Sequence, residues 1–191
     1  MSIKTYKSTD KTQLTKHFNV SEFKCKCGGN HDTKLDTDLV DKLEKLHTAL
    51  NCSKIIINSG YRCPTHSVNV GGSATDYHTK GYAADIVCYD QSGNKISSKK
   101  VSCVAQDLGF GGIANIGNAN DKTYTATHVD TRTSNFWKGD EVVTTSRSVT
   151  DDFYKYYRLS KSDVYPASAK KSKNITLIID GVTYFGTITE K

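Results

Sequence analysis

The stretch SGYRCPTHSVNVGGSATDYHTKGYAADI, residues 59–86, decides how this chain is read. Residues 61–81 are rich in Gly, Ser, Thr and Asn and read as one long ordered loop, a length that compact domains usually reserve for function. Residues 83–88, AADIVC, then read as a buried central strand. His78 leaves the loop, Gly81 relieves the turn, and Asp85 falls inside the strand, where the backbone is rigid. A further histidine, His128, lies in THVDTR. Two imidazoles and one carboxylate suit a catalytic zinc ion, with three protein ligands and a fourth position for water. Such a site brings the pKa of water toward about 7. On residue types alone, two surface histidines and a solvated carboxylate remain an alternative reading.

Working outward, Leu39, Leu43, Leu46 and Leu50 recur at helical spacing, with Asp36 or Thr37 placed to cap the start. Residues 54–58, KIIIN, read as a short buried strand closed by Ser59-Gly60. Residues 98–108 predict a second helix, with Val101, Val104 and Leu108 on one face and Gly109 as its stop. Residues 111–116 and 126–132 read as two more strands. This order predicts an α+β fold with helices packed on a mostly antiparallel sheet that carries the zinc site. Beyond residue 163 the chain becomes polar and basic through 167–173. Residues 175–179, an Asp180-Gly181 turn and residues 182–188 then spell a β-hairpin. The expected organisation is a catalytic domain over 1–163 and a linker with hairpin over 164–191. An isolated hairpin is marginally stable, so this one is expected to pack on something or form part of a homo-oligomer.

Composition narrows the classes. The 191 residues are 36% hydrophobic and 24% charged, with a net charge of +6. Such a basic balance favours anionic polymers, but the Lys and Arg residues are scattered without a nucleic-acid-binding motif, so no nucleic-acid partner is expected. No apolar run approaches the roughly 18–20 residues of a membrane span. No apolar stretch follows the basic N-terminal residues, so no secretory signal is expected and synthesis is placed in the cytoplasm. The six cysteines then read as thiols rather than a disulfide framework. Cys52, Cys63, Cys88 and Cys103 sit in apparent core elements. Cys25 and Cys27, with His31 close by, raise a metal site. However, Cys-x-Cys lacks the usual two-residue spacing and no second pair follows, so a turn through Gly28-Gly29 with two incidental thiols is the plainer reading.

The motifs Ser-Gly-Tyr-Arg at 59–62, Val-Gly-Gly at 70–72, His78-x-x-Gly81, Ala84-Asp85-Ile86 and His128-Val-Asp130 together resemble the zinc D-alanyl-D-alanine peptidase family. That family shares its fold and metal site with murein endopeptidases and the hedgehog signalling domain. The likeness runs from about residue 14 to 140, taking in LTKHFNVSEF at 14–23 and LGFGGI at 108–113. It implies one zinc ion per chain, held by His78, Asp85 and His128, and a peptidoglycan peptide as substrate. It also implies that Arg62 binds or polarises that substrate. A guanidinium can grip a carboxylate or an oxyanion, and it can equally serve as a structural ion pair.

One position departs from the family pattern. Many relatives carry an acid three residues before the last histidine ligand, where this chain has Thr125. Asp130 is the local alternative, because residues i and i+2 of a strand share a face. It could carry a proton or merely orient a ligand. His17, His31, His47 and His66 have no partner at ligand spacing, and His47 is expected to be exposed on the first helix. Tyr77, Tyr82, Phe136 and Trp137 are cleft or packing candidates. The function implied is an endolysin-type endopeptidase acting on the wall after release, with anionic wall polymers as further partners. A D,D-carboxypeptidase and an inactive zinc-containing binding module are the alternatives.

Overall fold

The structure is a computed structural model that describes residues 2–117, 124–140, 152–166, 172–179 and 182–189. The chain divides into two compact units, Met1–Leu159 and Ser160–Lys191. The first holds β1 (Ile3–Tyr6), a 3-10 turn (Val20–Phe23), β2 (Thr33–Asp36), α1 (Thr37–Ala49), β3 (Lys54–Ser59), α2 (Pro64–Asn69) and β4 (Ala83–Tyr89). It continues with α3 (Ser98–Asp107), β5 (Gly112–Gly117), β6 (Tyr124–Asp130), β7 (Trp137–Asp140) and α4 (Phe153–Tyr157). Five strands form a sheet in the order β3-β4-β6-β5-β7. Every pairing in it is antiparallel except β5 with β7. The fold is therefore α+β on a mostly antiparallel sheet, as the element order predicts.

The leucine stripe of α1 forms as expected: Leu39, Val40, Leu43 and Leu46 are buried, each contributing about 2 kcal/mol by leaving water. The cap differs from expectation. Asp36 occupies the N-cap but makes no capping bond. Its carboxylate instead accepts from Ser2 N at 3.2 Å and Thr131 Oγ1 at 2.7 Å, tying the N-terminus and the end of β6 to the helix start. His47 also departs from expectation: it is buried, with its ring stacked 3.7 Å from that of His17. The loop over 61–81 is interrupted by α2. Pro64 starts this helix, where a missing N–H costs nothing.

Strand β4 is buried along nearly its whole length, because it lies between β3 and β6. Helix α3 buries Val101 and Val104, and Gly109 follows it with φ +73°, the left-handed stop that the sequence predicts. Cys52, Cys63, Cys88 and Cys103 are all buried. No helix among the described residues is long and apolar enough to cross a membrane.

The second unit contains α5 (Lys161–Val164) and the strands β8 (Ser172–Ile179) and β9 (Val182–Thr189). These strands pair antiparallel with Ile179 opposite Val182, which is the register of a two-residue connection. Asp180, Gly181 and residues 167–171 of the expected linker lie outside the described residues.

Candidate metal centre

Sheet register assembles the centre. In the pairing of β4 with β6, Asp85 stands opposite His128 and Ala83 opposite Asp130. Cross-strand partners on one face have Cβ atoms about 5 Å apart, close enough for two side chains to share one ion. His78 arrives from the loop before β4. Gly81 turns the chain between them at φ +84°, and a Cβ there would lie 2.6 Å from Lys34 O. Any other residue would meet both backbone strain and the β2 main chain.

Three donor atoms converge. His78 Nε2 lies 3.3 Å from His128 Nδ1 and 3.3 Å from Asp85 Oδ1, while His128 Nδ1 lies 2.9 Å from the same oxygen. Zinc bound tetrahedrally at its usual distances of about 2.0–2.1 Å requires ligand separations of roughly 3.3 Å. The residues therefore fit the ion. All three are largely buried, at 4%, 8% and 6% exposure.

Surrounding groups hold each ligand in the required form. His78 Nδ1 donates to Gly60 O at 2.8 Å, leaving Nε2 with its lone pair toward the centre. His128 is turned the other way: its Nε2 donates to Asp130 Oδ2 at 3.1 Å and its Nδ1 faces the centre. Asp85 Oδ2 accepts from Arg62 Nη2, and Arg62 Nε donates to Ser59 Oγ at 2.7 Å. Such outer partners fix ring orientation and ligand basicity.

The electrostatics are those of a cation site. Burial raises the pKa of Asp85, but the neighbouring His78 and His128 outweigh it and hold the carboxyl far below its usual range. Burial likewise works against charge on His128, yet hydrogen bonds and attraction from Asp130 and Asp85 hold its imidazole up to about 10. A pocket that favours a buried proton so strongly also favours a divalent cation in its place.

Asp130 is fully buried behind His128. Oδ1 accepts from Arg132 N at 3.0 Å and Arg132 Nε at 2.9 Å; Oδ2 accepts from Arg132 Nη2 as well as from His128. Burial opposes its ionisation, and His128 and Arg132 together overcome that. The Arg132 guanidinium lies 4.1 Å from the Tyr77 ring centroid and 5.6 Å from that of Trp137. Trp137 packs 5.5 Å from the His128 ring, whereas Phe136 is 60% exposed. Tyr82 meets Tyr77 edge-on at 6.4 Å.

Two contributors escape the motif reading. Arg132 follows Asp130 by one strand period, and that alternation is the only sequence signal for their pairing. Gly112 faces Asp130 across β5 and β6, and a Cβ there would stand 2.0 Å from Asp130 Oδ2, so the strand is bare where the carboxylate must fit. Thr125 lies in β6, but its side chain falls outside the described residues. His66 and the stacked His17 and His47 stand outside the donor triangle.

The Peptidase M15 family model matches residues 16–118, more than half of the chain. The matched span contains His78 and Asp85, and the register of β4 and β6 adds His128 from beyond it. A search of curated proteins finds no match. The chain therefore belongs to the Peptidase M15 family, and is a zinc metallopeptidase in which His78, Asp85 and His128 can hold the metal.

Proposed function

We propose that this peptidase is an endolysin-type endopeptidase, made in the cytoplasm and acting on the wall after release, that cuts stem or cross-link bonds involving D-amino acids. The observation that carries the internal cut is the commitment of the two arginines nearest the metal ligands. Arg62 spends Nε and Nη2 on Ser59 and Asp85, and Arg132 is spent on Asp130. A carboxypeptidase needs a cation to grip the free terminal carboxylate of its substrate. An endopeptidase needs no such clamp. The +6 charge also favours retention on anionic wall polymers.

In this reading His78, Asp85 and His128 would hold the zinc ion, which when bound would act as a Lewis acid polarising the scissile carbonyl. Arg62 anchors Asp85 and keeps its Oδ1 turned to the centre. Asp130 holds the Nε2 proton of His128, so that Nδ1 stays available as a ligand. With both oxygens engaged and no exposed surface, Asp130 positions His128 rather than exchanging protons with substrate.

Digestion of purified cross-linked muropeptides, followed by mass spectrometry, tests the assignment. Conversion of dimers to monomers, abolished by a chelator, is expected. Free D-Ala as the sole product would replace this reading with a carboxypeptidase.

A further inference from the structure

Three thiols lie together outside the centre just described. The Sγ atoms of Cys25, Cys27 and Cys63 all fall within 4.8 Å of one another, and Cys27 Sγ lies 3.9 Å from Cys63 Sγ. Four thiolates around zinc at about 2.3 Å stand roughly 3.8 Å apart. Cys63 is the ligand that the Cys-x-Cys spacing conceals: it comes from the N-cap of α2, distant in sequence, and closes a cluster that two thiols alone could not make.

Each sulfur also receives a backbone N–H. Cys63 N donates to Cys25 Sγ at 3.2 Å, Gly29 N to Cys27 Sγ at 3.4 Å and His66 N to Cys63 Sγ at 3.4 Å. Donors aimed at sulfur favour the thiolate, the form that binds metal. The Gly29 N–H, together with the neighbouring Cys25 thiol, brings Cys27 down to about 7, whereas burial pushes Cys25 up. Beside Cys27 stands an imidazole: a Cβ on Gly29 would lie 2.6 Å from His31 Nε2 and 3.4 Å from Cys27 Sγ. Gly29 thus leaves the space that lets ring and thiol approach each other.

We propose that Cys25, Cys27 and Cys63 form a second zinc site, structural in kind, with His31, which stands beside Cys27 but outside the sulfur triangle, as the candidate for the fourth position. Soft thiolates select zinc over hard cations, and sulfur-rich ligand sets are those of structural zinc. The site clamps the segment after the 3-10 turn onto the chain beside Arg62. Tyr61 N already donates to Phe23 O at 2.8 Å in the same seam. Holding Cys63 holds its neighbour Arg62, whose bond to Asp85 steadies the catalytic ligand.

The test uses the full-length protein purified under reducing conditions, stripped of metal and titrated anaerobically with zinc or cobalt. Two zinc ions per chain are expected, falling to one in Cys27→Ser and to one in His78→Ala. Cobalt should give thiolate charge-transfer bands in the near ultraviolet, which the His78, Asp85 and His128 set has no sulfur to produce. The bands should persist in His78→Ala and disappear in Cys27→Ser. The wild-type spectrum needs no variant to fold. Absence of those bands, a single zinc per chain, or a disulfide found among the three cysteines would overturn the proposal. Because the readout is metal at sulfur, it is independent of whether the enzyme proves to be an endopeptidase.

Discussion

Asp85 and His128 face each other across β4 and β6, with Oδ1 2.9 Å from Nδ1. That contact between a carboxylate and a ring nitrogen is one edge of the donor triangle, and strand register sets it. His78 supplies the third corner from a loop, held by its bond to Gly60 O. Two corners are therefore as rigid as the sheet, and the third is as rigid as one hydrogen bond and the Gly81 turn.

Removing a corner should remove the metal. His128→Ala is expected to lose the zinc ion at this centre and to reduce peptidase activity to background, while the sheet persists because β6 is paired on both sides, with β4 and β5. Elemental analysis beside a circular-dichroism melt checks this. A variant that keeps its zinc and its rate would reject His128 as a ligand.

Asp130→Asn separates a positioning role from a proton-carrying one. Loss of an outer carboxylate typically costs about 10–100-fold in metal affinity. Activity should therefore be low at limiting zinc and recover at saturating zinc, with an unshifted pH profile. A defect that persists at saturation would return Asp130 to the reaction itself.

Legibility in the sequence followed the range of each contact. His78 and Asp85 lie in one motif stretch and His128 in another, so the family resemblance points to the trio before the fold is known, although the residue types alone do not. The α1 stripe and the Gly109 stop were equally local. By contrast, Cys63 is buried as its core reading expects, but its approach to Cys25 and Cys27 is a tertiary contact that no local pattern announces. Asp36 looked like a cap because its partner Thr131 comes from the far end of β6. His47 was expected in solvent because nothing local announces that His17 will stack on it. Strand β7 is only four residues long and pairs in parallel, so it carried no alternation strong enough to read.

Gly112→Ala tests how tightly Asp130 is seated. The added methyl would stand 2.0 Å from Oδ2 and 2.4 Å from Cγ, in a place with no room to yield because Arg132 holds both oxygens. Overpacking of this kind typically costs about 1–3 kcal/mol. The denaturant midpoint should drop accordingly, and zinc should bind more weakly as His128 loses its support. An unchanged midpoint would mean that the carboxylate is free to move.

The His17–His47 stack predicts an acid-sensitive limb of stability away from the metal. Burial depresses the pKa of His47, and the adjacent His17 adds to that, although Glu44 partly opposes it. Glu44 itself is bound to His17 Nδ1 at 2.6 Å. A histidine whose folded pKa lies below its unfolded value of about 6.5 binds fewer protons when folded. Its contribution is therefore fully present above about pH 6.5 and is lost as the pH falls through the folded value. His47→Phe keeps an aromatic ring against His17 but cannot titrate. The stability difference between wild type and variant should be constant above pH 6.5 and should shift in the variant's favour below it. Metal competition affects both proteins alike and cancels in that difference. Parallel curves across the whole range would show that His47 takes up its proton as easily in the fold as in the open chain.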